Sequence, residues 1–314
     1  MNNLNTWEKK KILFIFSDPG SSNILLSLIK KFKLKNFNIY LSKRNKRIDI
    51  RKHINKIILK SDLNKILKKK LFNLCVVGTG ALPEYIDIAN KFKKNKIHTI
   101  AILDHWLNFV LRFKKGGKKF KPNVIFLTDY NNYIRDPFFK NIKIIKIKNY
   151  FMEEKIKEIK KFKKKKYDFL YASDPASYVK NKKIRDKIIL GSIENFFLYL
   201  KLFNKSKVLI RSHPGENLLS FKKIIKKVLK KNDNKKIDIT ISKEYNISKD
   251  IASSKIIFGM QSSVLLLAKK SGKKVYTSMP NKFVKKYLKN NYLKDKISNM
   301  IDLSNNNHNL KNKI

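Results

Sequence analysis

The chain has 314 residues, 42% of them hydrophobic, which is enough for packed cores and argues against wholesale disorder. Its formal charge is +51, yet only seven basic residues are Arg, and Lys is spread from Lys9 to Lys313. A nucleic-acid binder clusters its basic residues and reads bases largely with Arg; the dispersion therefore argues against nucleic acid and leaves anionic substrates and an anionic membrane surface as partners.

Short apolar runs alternate with longer amphipathic ones. Ile12–Phe16 predicts a buried strand, and Ser21–Phe32 a helix capped by Ser21 or Ser22. Ile39–Leu41 and Leu74–Val77 predict strands, the second followed by Gly78-Thr79-Gly80 and a helix over Pro83–Lys93. His98–Leu103 and Val124–Leu127 are further strands. A Lys-rich stretch, Glu153–Lys166, then interrupts the pattern as a connector. Beyond it come strands at Phe169–Ala172, Val208–Arg211, Ile237–Ile241, Ile256–Phe258 and Lys274–Thr277, with helices at Lys187–Phe203, Phe221–Lys231 and Ser263–Lys270. This alternation predicts an α/β protein of two doubly wound, Rossmann-like parallel-sheet domains with a cleft between them. The expected division is 1–150, an acceptor-side domain, and 151–314, a donor-binding domain with a frayed Asn/Lys-rich tail. No internal repeat stands out.

The lone Cys75 lies in an apolar run, so an intrachain disulfide is impossible and an inert buried thiol is expected. The polar N-terminus lacks the apolar core of a signal peptide, and no run of about 18 uncharged apolar residues exists to span a membrane. The expectation is a cytoplasmic protein that can rest on the inner membrane face.

In doubly wound sheets ligands bind beyond the carboxyl ends of the strands, so the polar residues after each strand are the candidate site. Ser17-Asp18-Pro19-Gly20-Ser21-Ser22-Asn23 follows the first strand, and Gly20 with a helix N-terminus suits an anion or a sugar. The same residues equally suit a tight turn and cap. Asp104-His105-Trp106-Leu107-Asn108, with Arg112 close behind, follows the strand ending at Leu103. There Trp106 and Asn108 suit a sugar, and Asp104 or His105 could take a proton; a helix cap at Asp104 over a core Trp106 is the plainer reading. In the second half, Arg211-Ser212-His213-Pro214-Gly215-Glu216 and Gly259-Met260-Gln261-Ser262-Ser263 each follow a strand. Arg211 and His213 suit a phosphate grip, and Ser262 and Ser263 open a helix that could socket an anion. The five histidines are scattered, with no Cys pair, Asp-x-Asp or hydrolase Gly-x-Ser-x-Gly elbow, so no metal or other cofactor is expected.

At these residues the chain resembles GT-B glycosyltransferases. Arg211-Ser212-His213-Pro214 with Ser262-Ser263 is similar to the paired His-Pro and Ser-Ser motifs of bacterial sialyltransferases and polysialyltransferases, and to those of CDP-glycerol glycerophosphotransferases. Leu265–Gly272 with Lys274-Val275-Tyr276 resembles their helix-Gly-strand segment. Asp18-Pro19-Gly20 through Asn23, with Asp104-His105-Trp106 and Asn108, resembles uncharacterised polysaccharide-biosynthesis proteins. The first domain carries no copy of the sialyltransferases' acidic motif beyond Asp18-Pro19-Gly20. UDP-sugar 2-epimerases share the architecture. The resemblance implies a metal-independent transferase passing a sugar or polyol phosphate from a nucleotide-sugar or CDP-polyol donor to a hydroxyl of a saccharide or lipid-linked acceptor, in surface polysaccharide synthesis. Arg211, His213, Glu216, Gly259, Ser262 and Ser263 would hold the donor, and Gly20, Ser21, Ser22, Asn23, Trp106 and Asn108 the substrate. Asp104 or His105, with Asp18 as the alternative, would be the base. A UDP-sugar 2-epimerase and a basic module for nucleic acid or anionic lipid are the rival readings.

Overall fold

The computed structural model describes residues 4–42, 51–69, 71–80, 84–104, 110–128, 136–162, 165–176, 179, 181–201, 203, 205–214, 216–232, 237–244, 246–280 and 283. The chain forms two compact units, Met1–Phe151 and Met152–Ile314.

The first unit runs β1 (Ile12–Phe16), α1 (Pro19–Lys31), β2 (Phe37–Leu41), β3 (Ile57–Ile58), α2 (Leu63–Lys68), β4 (Leu74–Gly78), α3 (Glu84–Lys94) and β5 (His98–Leu103). A short antiparallel pair, β6 (Lys114–Lys115) and β7 (Lys118–Lys119), precedes β8 (Val124–Thr128) and β9 (Lys143–Ile147). The sheet order is β3-β2-β1-β4-β5-β8-β9, with every pairing parallel. Strands β1, β4 and β8 are buried at every position. That is why they read as unbroken apolar runs: a parallel strand covered on both faces has no solvent side to alternate with. The short helical segment Leu4–Lys9 closes one face, its Trp7 stacked on Phe126 at 5.7 Å.

Helix α4 (Tyr150–Lys161) leads into the second unit. There follow β10 (Tyr167–Ala172), α5 (Lys182–Leu200), β11 (Ser206–Arg211), α6 (Leu218–Asn232), β12 (Ile237–Ile241), α7 (Ile247–Ser253), β13 (Ser254–Gly259), α8 (Ser263–Lys270) and β14 (Lys274–Thr277). The sheet order is β12-β11-β10-β13-β14, again wholly parallel. Its core is largely aromatic, with Phe169, Phe196, Tyr199, Phe258 and Tyr276 in mutual ring contact.

Three expectations are corrected. The first helix begins at Pro19 and its cap is Asp18, because Asp18 adopts the extended cap conformation and its carboxylate accepts the Ser21 N–H. The Lys-rich stretch expected to be a connector is mostly α4, whose buried Met152 and Ile159 give it a packed face. Strand β9 and helix α7 were not anticipated: the edge strand β9 keeps two lysines exposed, and α7 has only seven residues. The expected frayed tail, 304–314, lies outside the described residues.

Each sheet reverses its strand order at one place, between β1 and β4 in the first unit and between β10 and β13 in the second. The loops leaving these strands diverge to opposite faces of the sheet, which opens a crevice at the carboxyl edge.

Candidate functional sites

At the carboxyl edge of the first sheet, two carboxylates gather around two glycines. Asp18 Oδ1 accepts the Ser21 N–H at 2.9 Å and the Ser21 hydroxyl at 2.7 Å, while the Ser22 hydroxyl donates to Asp18 O at 2.6 Å. Ser21 and Ser22 are fully buried in this capping turn, so neither hydroxyl is presented to a ligand. Gly20 is exposed, and a Cβ there would lie 3.0 Å from Asp104 Oδ2. A Cβ at Gly80 would lie 2.7 Å from both Asp18 Oδ2 and Ser17 Oγ. The absence of side chains at these positions lets both carboxylates sit against backbone. Asn23 is half-buried, one turn further along α1.

Asp104 follows β5 and is paired with Arg112, whose Nη1 donates to Asp104 Oδ1 at 2.8 Å and to Thr79 O at 3.0 Å. The side chains are 8% and 15% exposed respectively. Burial pushes the Asp104 carboxyl up to about 7, against the opposing charge of Arg112 and with the help of Asp18. Tyr85, in the first turn of α3, is also buried, and its hydroxyl has no hydrogen-bond partner among the described residues. Burial raises its phenol, the Arg112 charge opposes this, and the charges of Asp18 and Asp104 add to it. This edge is therefore acidic, and the N-terminus of α1 is already occupied by Asp18. Of the anion or sugar expected at Gly20–Asn23, the anion is disfavoured, since a capping carboxylate stands where it would sit. His105, Trp106 and Asn108 lie outside the described residues.

At the carboxyl edge of the second sheet, the loops after β10, β11 and β13 are bound together by two carboxylates. Glu216 accepts the Ser173 hydroxyl at 2.8 Å and the His213 N–H at 2.6 Å. Asp174 accepts the Ala176 N–H at 2.8 Å, which holds Ala176 at a left-handed φ of 47°, and also the Gln261 backbone N–H. Burial pushes the Asp174 carboxyl up to about 6, with the Glu216 charge adding to it. Burial raises Glu216 as well, against the hydrogen bonds from Ser173 and His213. His213, Glu216 and Ser262 are thus brought to one edge, with Ser173 and Asp174 between them.

Ser262 is the N-cap residue of α8, with φ −76° and ψ 161°, yet its side chain makes no capping hydrogen bond. Its hydroxyl is buried and has no partner among the described residues. The exposed Ser263 begins the helix; the Leu265 N–H already donates to Ser262 O at 3.1 Å, which leaves the N–H groups of Ser263 and Val264 as the open donors of the first turn. A buried unpaired hydroxyl costs about 1–3 kcal/mol.

Two expected donor contacts are given other partners. Arg211 Nη1 donates to Asp250 Oδ2 at 2.6 Å and to Glu244 O at 2.8 Å, and Asp250 is 3% exposed at its side chain. A buried ion pair of this kind holds Arg211 in the framework rather than offering it to phosphate. Gly259 is a packing glycine: a Cβ there would sit 2.7 Å from Ala172 O and 3.3 Å from Leu265 Cδ2.

Asp174 escaped the reading of the sequence, although a signal for it existed. Ser17-Asp18-Pro19-Gly20-Ser21 follows the first strand of the first unit, and Ser173-Asp174-Pro175-Ala176-Ser177 follows the first strand of the second. Searching for the same short motif after each unit's first strand would have found it. Nothing in the sequence flags Tyr85 or Asp250.

No protein-family model matches the chain, and no curated protein matches it in sequence. Solved structures match in fold. Staphylococcus aureus MnaA, solved with UDP, gives a TM-score of 0.58 at 11% identity over 85% of this chain and 78% of that one. UDP-GlcNAc 2-epimerase from Neisseria meningitidis, bound to UDP-GlcNAc, gives 0.55 at 12% identity over 85% and 82%. Anabaena Alr3699/HepE, in complex with UDP and glucose, gives 0.54 at 12% identity over 85% and 80%. The chain is thus a protein of two Rossmann-like α/β domains with a GT-B-like fold. At these identities the likeness establishes the fold alone.

Proposed function

We propose that the chain is a nucleotide-sugar enzyme whose second unit holds a nucleoside diphosphate at the N-terminus of α8, and whose first unit contributes Asp104 as a carboxyl able to exchange a proton. The observation that carries this reading is the buried, unpartnered Ser262 hydroxyl at an uncapped helix start. The first-turn N–H groups and the Ser262 hydroxyl take the diphosphate oxygens. Their positive end of the helix dipole offsets the charge that grows on a departing nucleotide. Because N–H and O–H donors meet that charge, no metal is required, and a chelator leaves turnover unchanged.

Of the chemistries open to such a site, 2-epimerisation of a UDP-sugar is the preferred reading. Of the structures similar in fold, one is a UDP-GlcNAc 2-epimerase bound to UDP-GlcNAc and another was solved with UDP. Epimerisation needs a base that takes a proton from one face of sugar C2 and an acid that delivers one to the opposite face, and a carboxyl raised to about 7 suits one of these two roles. Transfer to a saccharide or lipid-linked hydroxyl is the second reading, favoured by the His213-Pro214 and Ser262-Ser263 motifs.

The test has two stages. UDP, CDP and CMP are titrated in thermal shift; a ligand at about 100 times its Kd adds about 2.7 kcal/mol, or roughly 5–10 °C for a unit of this size. UDP-GlcNAc is then incubated with the protein in D2O. Deuterium at sugar C2 without any acceptor supports epimerisation, whereas UDP release that depends on an added acceptor supports transfer. No shift with any nucleotide would sink both.

A further inference from the structure

We propose that the outer face of α6 is a docking surface for an anionic lipid bilayer. The lysine excess of the chain is dispersed; α1, α2 and α8 lack acidic residues but carry only two lysines each. Helices α3, α4 and α5 interleave acidic residues with their lysines. Helix α6, with the sequence LLSFKKIIKKVLKKN, carries six lysines and no acidic residue.

Its two faces are distinct. Phe221, Ile225 and Val228 are buried in the core of the second unit and fix the inner face. Leu219, Lys223, Lys226 and Lys230 follow at i, i+4, i+7 and i+11, so they form one stripe on the opposite side. All four are exposed, as is Lys227 beside them. At the start of the stripe Leu219 is 71% exposed and its neighbour Leu218 is 43% exposed. Leu198, in the last turn of the adjoining α5, is 48% exposed.

Lysines alone would bind any polyanion. Exposed leucines at the head of an acid-free lysine stripe instead match an interface that has phosphate at one depth and hydrocarbon just below it. The leucines enter the boundary of headgroup and acyl chain, and the lysine stems lie along it with their ammonium groups on lipid phosphates. Nucleic acid offers the phosphates but has no apolar layer for the leucines. Leu218 stands two residues beyond Glu216, so docking brings the carboxyl edge of the second sheet to the headgroups. The proposal is independent of the nucleotide reading.

The test is flotation of the full chain with vesicles of phosphatidylcholine, with or without phosphatidylglycerol. The wild type is expected to float only with phosphatidylglycerol. Each lysine near such a surface is worth roughly fivefold in partitioning, so K223Q/K226Q/K227Q/K230Q should lower it more than about a hundredfold. A control with equal charge loss on the first unit, K94Q/K119Q/K143Q/K146Q, should change it far less. L218S/L219S, which leaves the charge unaltered, should lower it about tenfold or more. As a second measurement, Leu219→Trp should shift its emission to the blue on phosphatidylglycerol vesicles and not on phosphatidylcholine alone. Equal losses in the α6 and control lysine variants, full flotation of the leucine variant, or no emission shift would each overturn the proposal. So would retention on RNA without flotation.

Discussion

Replacing Ser262 by Ala should move stability and nucleotide binding in opposite directions. At an ordinary N-cap, Ser→Ala costs about 1 kcal/mol, because the side chain's hydrogen bond to the first turn is lost. Ser262 makes no such bond, and its hydroxyl is buried without a partner among the described residues. The substitution therefore removes an unsatisfied group whose burial costs about 1–3 kcal/mol. It leaves intact the Leu265 N–H bond to Ser262 O, at 3.1 Å. The free protein should be unchanged or more stable by up to about 1 kcal/mol, once the small cavity left behind is counted. If a phosphate oxygen accepts from that hydroxyl, its loss should weaken binding by about 1.5–3 kcal/mol, the range for hydrogen bonds to charged groups. Urea unfolding of the free protein and isothermal titration with UDP measure the two quantities separately. Destabilisation by more than about 1 kcal/mol would mean that the hydroxyl caps the helix after all. Unchanged affinity in a protein that binds UDP would place the phosphate elsewhere.

Arg211→Ala should behave in the contrary way, lowering stability by about 3–5 kcal/mol because the buried Asp250 is left without its cation. Denaturation should read this directly, and a folded variant that has lost only nucleotide affinity would refute the framework role. Tyr85→Phe should leave stability equal or slightly higher, since the hydroxyl is buried without a partner among the described residues. Loss of turnover in a variant that melts normally would then assign the hydroxyl to the substrate. The Asp104 carboxyl, raised by burial from 3.8 to about 7, makes the native state hold a proton that the unfolded chain has released. Its stabilising contribution is thus fully present below pH 3.8 and is lost as pH rises through about 7. Asp104→Asn should flatten that part of the stability profile and abolish turnover; an unchanged pH profile would show that another group carries it.

The sequence by itself determined the layered α/β plan. Buried parallel strands such as β4 and β8 must be apolar along their whole length, and that run, punctuated by glycine and polar residues, is visible without coordinates. The bounds of α8, β12 and β14 were legible for the same local reason, since strand alternation and helix starts are encoded within a few residues. The candidate edges were legible too, because a polar residue after a buried strand is a local feature. What each polar residue does there was decided only in three dimensions. Arg211 and His213 stand two apart, yet Arg211 is engaged by Asp250, from a helix distant in sequence. Asp18 could have faced a ligand or capped a helix, and it caps because the chain turns at Pro19 and brings the Ser21 N–H to its carboxylate. Burial raises the Asp104 carboxyl, and the Ser262 hydroxyl is left without a partner among the described residues. Desolvation and hydrogen-bond partnership are properties of packed surroundings, and a linear chain assembles those surroundings only by folding.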